Sequence, residues 1–300
     1  MSDPSPPRHE AVPRLLKSLA RFRSRAQAAQ RRGIPMPFRR WRKASLLAAL
    51  RRDWPGAYVL CDDGILAYVQ SPLDFQGERV LFNGLAAHPA ALAFLSEGGV
   101  ALDIGANLGE WTVPLARSVG PGGLVLAFEP QGAVAQALSR TLRINHLSQA
   151  QVMRLALSDK EGAAPFFLDS RNTGRSRLEG SAAAATGLLV ETRRLDAIVA
   201  ERALARVDLV KIDVEGHERQ VLDGAGETLR RFQPAVVIET GHEREEDRKA
   251  IAEIFEALGY ELVSVLCDYG ALAGDLAQYR AATGACAGRE PRNLLLLPER

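Results

Sequence analysis

Seven residues, Asp103-Ile104-Gly105-Ala106-Asn107-Leu108-Gly109, follow the apolar run Val100-Ala101-Leu102 and precede a helical pattern that begins near Glu110. A buried strand that ends in a glycine-rich turn and opens into a helix is how α/β folds hold nucleosides. Glycine lets the backbone approach the ligand, and the unpaired N–H groups of the helix start face it. The spacing here is Asp-x-Gly-x-x-x-Gly, not the Gly-x-Gly-x-x-Gly of dinucleotide binders. No pyrophosphate needs room, and a carboxylate leads the loop. That fits a ligand with a cationic centre, such as S-adenosylmethionine, on Asp103, Gly105, Ala106, Asn107 and Gly109.

Further carboxylates recur at the ends of later apolar runs. Glu129 closes Leu126-Ala127-Phe128, 26 residues beyond Asp103, the length of one strand–helix–strand unit. At such a tip a carboxylate can accept hydrogen bonds from both ribose hydroxyls. The third run ends Ala156-Leu157-Ser158-Asp159. There Ser158 or Asp159 would bond the edge of the base, or equally form a plain turn before Gly162. The densest cluster is Lys211-Ile212-Asp213-Val214-Glu215-Gly216-His217-Glu218. Five ionisable groups near a turn glycine are costly to bury idly. Asp213 would face the methionine end of the cofactor or an acceptor hydroxyl, with Glu215 and Glu218 in support. Glu218 also suits the first turn of a following helix. His217 could take a proton near neutral pH, or be an exposed loop histidine. Glu239 and His242 end a fifth run on the same rim. Glu239 is a candidate for orienting an acceptor, whereas His242 reads more simply as a surface residue. A divalent cation on Asp213 and a second carboxylate is compatible with hard oxygen ligands, although no spacing demands one.

The elements that must position these groups alternate. Apolar runs at 100–104, 124–128, 152–157, 207–212 and 235–239 are separated by helical stretches at 110–118, 132–145, 194–203, 217–231 and 245–258. Such alternation predicts a parallel sheet with helices on both faces. Tyr260 to Val265 and Asn293 to Leu297 supply a sixth and a seventh strand, one of them antiparallel. Residues 57–82 read as short strands, with Asp62-Asp63-Gly64 as the turn of a hairpin, and a helix is expected from 86 to 96. The chain thus divides into a basic helical arm (1–52), a hairpin layer (53–85) and the main α/β domain (86–300). Residues 181–187 are rich in small side chains and read as a mobile loop.

Charge is unevenly spread. Residues 1–52 carry fourteen Lys and Arg against two acids, about +12, and the remainder balances this at about −10. The arm reads as a solvated or self-packing tail, or alternatively as a contact for an anionic surface. With only Phe22, Phe38 and Trp41 interleaved, nucleic acid is disfavoured. Cys61, Cys267 and Cys286 are odd in number and show no metal spacing, and no apolar run has the length of a signal or a membrane span. A reduced, cytoplasmic location is expected.

Taken in order, Asp-Ile-Gly-Ala-Asn-x-Gly, Glu-Pro, Ala-Leu-Ser-Asp-x-x-Gly and Lys-Ile-Asp-Val-Glu-Gly-x-Glu resemble the FkbM-type methyltransferases over about residues 85 to 266. Leu195-Asp196 and Val221-Leu222-Asp223-Gly224-Ala225 extend the match. The resemblance implies a Rossmann-like, seven-stranded class I fold that uses S-adenosylmethionine to methylate a hydroxyl on a sugar, glycan or macrolide. It implies cofactor roles for Asp103, Gly105, Asn107, Gly109 and Glu129, and places Lys211, Asp213, Glu215, Gly216 and Glu218 in the family signature. A polar stretch before the fourth strand maps to Asn172, Gly174 and Ser176. Asp213 or His217 is then the expected base, with Glu239 orienting the acceptor. Three rivals are an oxidoreductase, against which the missing Gly-x-Gly-x-x-Gly argues, an RNA methyltransferase using the basic arm, and a non-catalytic module that keeps the fold.

Overall fold

The computed structural model describes residues 56–61, 64–71, 74–85, 87–169, 172–178, 187–241, 243–267, 270–287 and 292–299. The basic arm, residues 181–186 and His242 lie outside them.

Strand β1 (Ala57–Leu60) and β2 (Leu66–Val69) form the expected antiparallel hairpin. The remaining strand-like residues of that stretch do not form a strand. Phe75–Asn83 is helix α1, started by Asp74, whose side chain accepts from the Gly77 N–H. An N-cap carboxylate outweighs the short apolar alternation that suggested a strand. The helix expected from 86 to 96 is reduced to one turn, α2 (Pro89–Leu92).

The central sheet is built from β3 (Val100–Ile104), β4 (Leu124–Phe128), β5 (Ala150–Met153), β9 (Leu209–Ile212), β10 (Ala235–Thr240), β11 (Tyr260–Cys267), β12 (Gly270–Leu272) and β13 (Arg292–Pro298). Their order is β12-β11-β13-β10-β9-β3-β4-β5, with β5, β4, β3, β9 and β10 parallel and β13 antiparallel to β10 and β11. Seven of these are the expected class I strands; β12 adds a short eighth at the edge, hairpinned onto β11. Helices α3 (Thr112–Val119) and α4 (Gly132–Ile144) cover one face. Helices α5 (Leu195–Glu201), α6 (Glu218–Asp223), α7 (Gly226–Phe232), α8 (Glu245–Ala257) and α9 (Leu276–Ala281) cover the other. Strand periodicity sorts β3 between the two cores: Ala101 packs toward α3 and α4, and Val100, Leu102 and Ile104 pack toward the opposite layer. Both faces are covered, so β3 reads as an unbroken buried run.

Two expectations are corrected. The run at 152–157 is not one strand. The chain leaves the central sheet after Met153, and β6 (Ala156–Leu157) joins a separate sheet of order β6-β8-β7 with β7 (Gly162–Phe167) and β8 (Gly187–Arg193). The helix expected at 217–231 is two, α6 and α7, broken at Gly224-Ala225. The cause is close approach: a Cβ on Gly224 would stand 2.1 Å from the Ser158 carbonyl oxygen. Gly224 therefore lets α6 press on the end of β6. Gly224→Ala is expected to cost about 1–3 kcal/mol in stability through this overlap. Urea unfolding of the variant measures it; an unchanged midpoint would show that the β6 end yields freely.

Candidate functional site

A cavity of about 280 Å³ opens at the carboxyl ends of β3, β4, β9 and β10. Its wall includes Ile104, Gly105, Ala106, Asn107, Glu129, Gln131, Lys211, Asp213, Glu215, His217 and Glu239. Its apolar lining comes from Phe128, Leu155, Leu157, Phe166, Leu178, Trp111 and Val214. Apolar walls with a few convergent polar groups are the usual make-up of a small-molecule site.

The loop after β3 is shaped by its neighbours. Gly105 has φ +79, and a Cβ there would meet the Asp213 carbonyl oxygen at 1.8 Å, so only glycine allows the β3 and β9 loops to touch. Asn107 also lies in the left-handed region, at φ +45. Its Oδ1 is buried and has no hydrogen-bond partner among the described residues. Glu129 joins the loop to the next strand tip: Oε2 accepts from the Asn107 N–H at 2.9 Å and Oε1 from the Gln131 N–H at 2.8 Å. Burial pushes its carboxyl up to about 7, with those two backbone bonds pulling the other way.

Asp103 and Gly109 do not reach the cavity. Asp103 shares the face of Ala101, turned toward α3, where Thr112 donates to its Oδ2. Register places Asp103 opposite Lys211 of β9. The Lys211 ammonium lies 3.7 Å from Asp103 Oδ1 and 3.2 Å from Asp213 Oδ2, and donates to the Gly105 carbonyl. Burial works to lower the lysine pKa, but the carboxylates of Asp213, Asp103 and Glu239 prevail and hold it above its ordinary value. Burial raises the Asp103 carboxyl despite Lys211 and Thr112. The acid that leads the loop is thus neutralised beneath it. Gly109, at φ +93, makes room for Leu138 of α4, which a Cβ would meet at 2.5 Å.

Asp213, Glu215 and Glu239 converge at the other end, each with a carboxylate oxygen within 4.8 Å of the others. Glu215, expected only in support, is itself part of the cavity wall. His217 is not an exposed loop residue. It is buried, and its Nε2 lies 2.9 Å from Ser158 Oγ, which also donates to Asp159 Oδ1. Ser158 and Asp159 themselves stand outside the cavity wall, which Ala156 and Leu157 supply in their place.

The sequence reading missed the roof. Asp74 caps α1 and also accepts from the Thr173 N–H at 2.7 Å and hydroxyl at 3.0 Å, fastening α1 to the turn Thr173–Arg175. Gln131 donates to the Thr173 carbonyl and accepts from Ser176 Oγ, so the same turn is tied to the residue beside Glu129. Phe75, Gln76 and Arg79 of α1 line the mouth, where Arg79 pairs with Glu110 at 2.7 Å. A cue was present in Asp74-x-x-Gly77, since a Cβ on Gly77 would overlap the Ser71 carbonyl. Asn172, Gly174 and Ser176, which the resemblance placed in a polar stretch before the fourth strand, line the cavity on and beside this turn.

The family model described as the methyltransferase FkbM domain matches residues 103–262. Methyltransferase sdnD of Sordaria araneosa is 28% identical over 205 residues, 58% of this chain and 78% of that protein. The 31-O-demethyl-FK506 methyltransferase FkbM of Streptomyces tacrolimicus is 32% identical over 159 residues, 43% of this chain and 60% of its own length. The 2-O-methyltransferase NoeI of Sinorhizobium fredii is 28% identical over 222 residues, covering 67% and 90%. The family match takes in more than half of the chain and runs from the buried acid of β3 to the start of β11, so the chain belongs to the FkbM methyltransferase family.

Proposed function

We propose that the cavity binds S-adenosylmethionine between the β3 loop and Glu129 and that the enzyme methylates a hydroxyl of a sugar, glycan or natural product. One observation carries the reading: Glu129 accepts from the Asn107 amide, so the strand-tip acid and the loop meet in one cavity. Each Glu129 oxygen keeps a lone pair beyond its backbone bond, enough for a ribose diol. The buried Asn107 Oδ1, without a partner among the described residues, fits a donor such as the cofactor's ammonium group. The apolar lining suits an adenine ring, and the three carboxylates suit a sulfonium.

Bound there, the cofactor supplies an activated methyl group on a good leaving group. The protein's own residues must then hold an acceptor oxygen in line and receive its proton, which contributes roughly 10²–10⁴-fold. Asp213 is assigned that proton, because His217 Nε2 is engaged by Ser158, and Glu239 is assigned the orienting of the acceptor. Lys211 already supplies a cation at this end, 3.2 Å from Asp213 Oδ2, and this reading invokes no divalent ion. Helix α1 precedes the family match and roofs the mouth, which makes it the wall most suited to acceptor choice. The names of two relatives, the 31-O-demethyl-FK506 methyltransferase and the 2-O-methyltransferase, support a hydroxyl as acceptor.

Calorimetric titration with S-adenosylhomocysteine should give saturable binding that EDTA leaves unchanged. Methyl-labelled cofactor offered with polyols, oligosaccharides, macrolides and RNA should put label into a base-stable ether. No binding, or label in RNA alone, would overturn the reading.

A further inference from the structure

Three carboxylates face the methyl-transfer end of the cavity, but the chain holds them by different means. Glu239 belongs to the β10 ladder, opposite Asn293 of β13. Asp213 is one residue past β9; its amide donates to the Ile104 carbonyl and its carboxylate meets Lys211. Glu215 is placed differently. It lies beyond the last ladder pair, in the left-handed region at φ +57, followed by Gly216 at φ +99. A non-glycine residue persists in that conformation only where its surroundings over-determine it.

Glu218 supplies such a hold from outside the turn. It is buried and absent from the cavity wall, and its Oε1 accepts from both the Val214 N–H (3.1 Å) and the Gly216 N–H (3.2 Å). These are the amides on either side of Glu215. A first-turn glutamate commonly reaches back only to the amide of its N-cap residue, here His217. Glu218 reaches further and grips the flanks of the left-handed residue. Because both amides converge on one oxygen, the grip needs an acceptor there and not a charge.

We propose that Glu218 is a positioning residue: it fixes the left-handed turn at Glu215 and so holds the Glu215 carboxylate beside those of Asp213 and Glu239. This rests on the cofactor reading above and adds the device that completes the acidic end of the site. Glu218→Gln keeps an oxygen for both amides, whereas Glu218→Ala removes it.

The probes are S-adenosylhomocysteine, which is neutral at sulfur, and sinefungin, which carries an amine near the position of the transferred methyl. The wild type should prefer sinefungin by about tenfold, roughly 1.4 kcal/mol. Glu218→Ala should bind S-adenosylhomocysteine within about twofold of wild type yet lose that preference, and Glu218→Gln should restore it. Amide exchange without ligand should be fast at Val214 and Gly216 in the alanine variant and protected in the glutamine variant. The proposal is overturned if the alanine variant keeps its preference and amide protection. It is equally overturned if the glutamine variant fails like the alanine one, or if the alanine variant loses S-adenosylhomocysteine as well. A wild type that binds neither probe would sink the cofactor reading, while the exchange result would still judge the grip of Glu218 on its loop.

Discussion

Glu129→Ala is expected to weaken S-adenosylhomocysteine binding by about 100-fold or more. Hydrogen bonds to a charged group are worth about 1.5–3 kcal/mol each, and two ribose hydroxyls are assigned to this carboxylate. A loss on the order of 3 kcal/mol is about two decades in affinity. The variant also leaves the Asn107 and Gln131 amides without their acceptor, so the β3 loop and the Gln131 link to the roof should loosen together. Isothermal titration measures the affinity. A loss of less than about fivefold would remove Glu129 from the cofactor site.

The same residue gives the binding a pH dependence of known sign. With its carboxyl at about 7, Glu129 is partly protonated at neutral pH, and the ionised form is the better acceptor for a diol. Affinity should therefore fall as pH drops from 8 to 6, approaching tenfold per unit below the pKa, and Glu129→Gln should be weak and flat. Stability of the unliganded protein runs the other way. Glu129 and Glu218 both sit at about 7, above the ordinary 4.5 of a glutamate, so the folded state holds extra protons between those limits. The stability these two groups contribute is lost as pH rises through that window. Thermal stabilisation by S-adenosylhomocysteine should accordingly be larger at pH 8 than at pH 6.

What the sequence disclosed follows from how local each cause is. The runs ending at Ile104, Phe128, Ile212 and Thr240 are strands buried on both faces, and their apolar continuity is a property of single segments. The placement of Gly105 and Glu129 at neighbouring tips followed from strand–helix–strand length alone. What stayed hidden depends on pairings across long separations. Asp103 looked like a ligand group because its partner, Lys211, lies 108 residues away and meets it only through sheet register. The roof depends on Asp74 finding Thr173, and the hold on His217 depends on Ser158. Neither pairing leaves a period or a spacing in the chain. The split of the stretch at 217–231 was partly readable, since Gly224 marks it, but the reason is the Ser158 carbonyl just past β6, which no local pattern encodes.

Lys211 is the clearest case of such a pairing, and its removal carries the largest expected loss of stability. Lys211→Met keeps the buried stem but deletes the ammonium that faces Asp103, Asp213 and the Gly105 carbonyl. Taking one partner from a buried pair typically costs about 3–5 kcal/mol, a third or more of a usual domain's stability. The cost should depend on pH. Burial already raises the Asp103 carboxyl above 3.8, and without the lysine it rises further. A folded pKa above the unfolded one means that stability falls as pH increases past the unfolded value, so the deficit against wild type should widen from pH 5 to pH 8. Asp103→Asn combined with Lys211→Met should recover most of the loss, because an amide oxygen can still accept from Thr112 and no charge is left buried. Urea unfolding of the three proteins at both pH values decides it. A single variant within about 1 kcal/mol of wild type at pH 8 would mean that the charge beneath the loop is not what holds β3 and β9 in place.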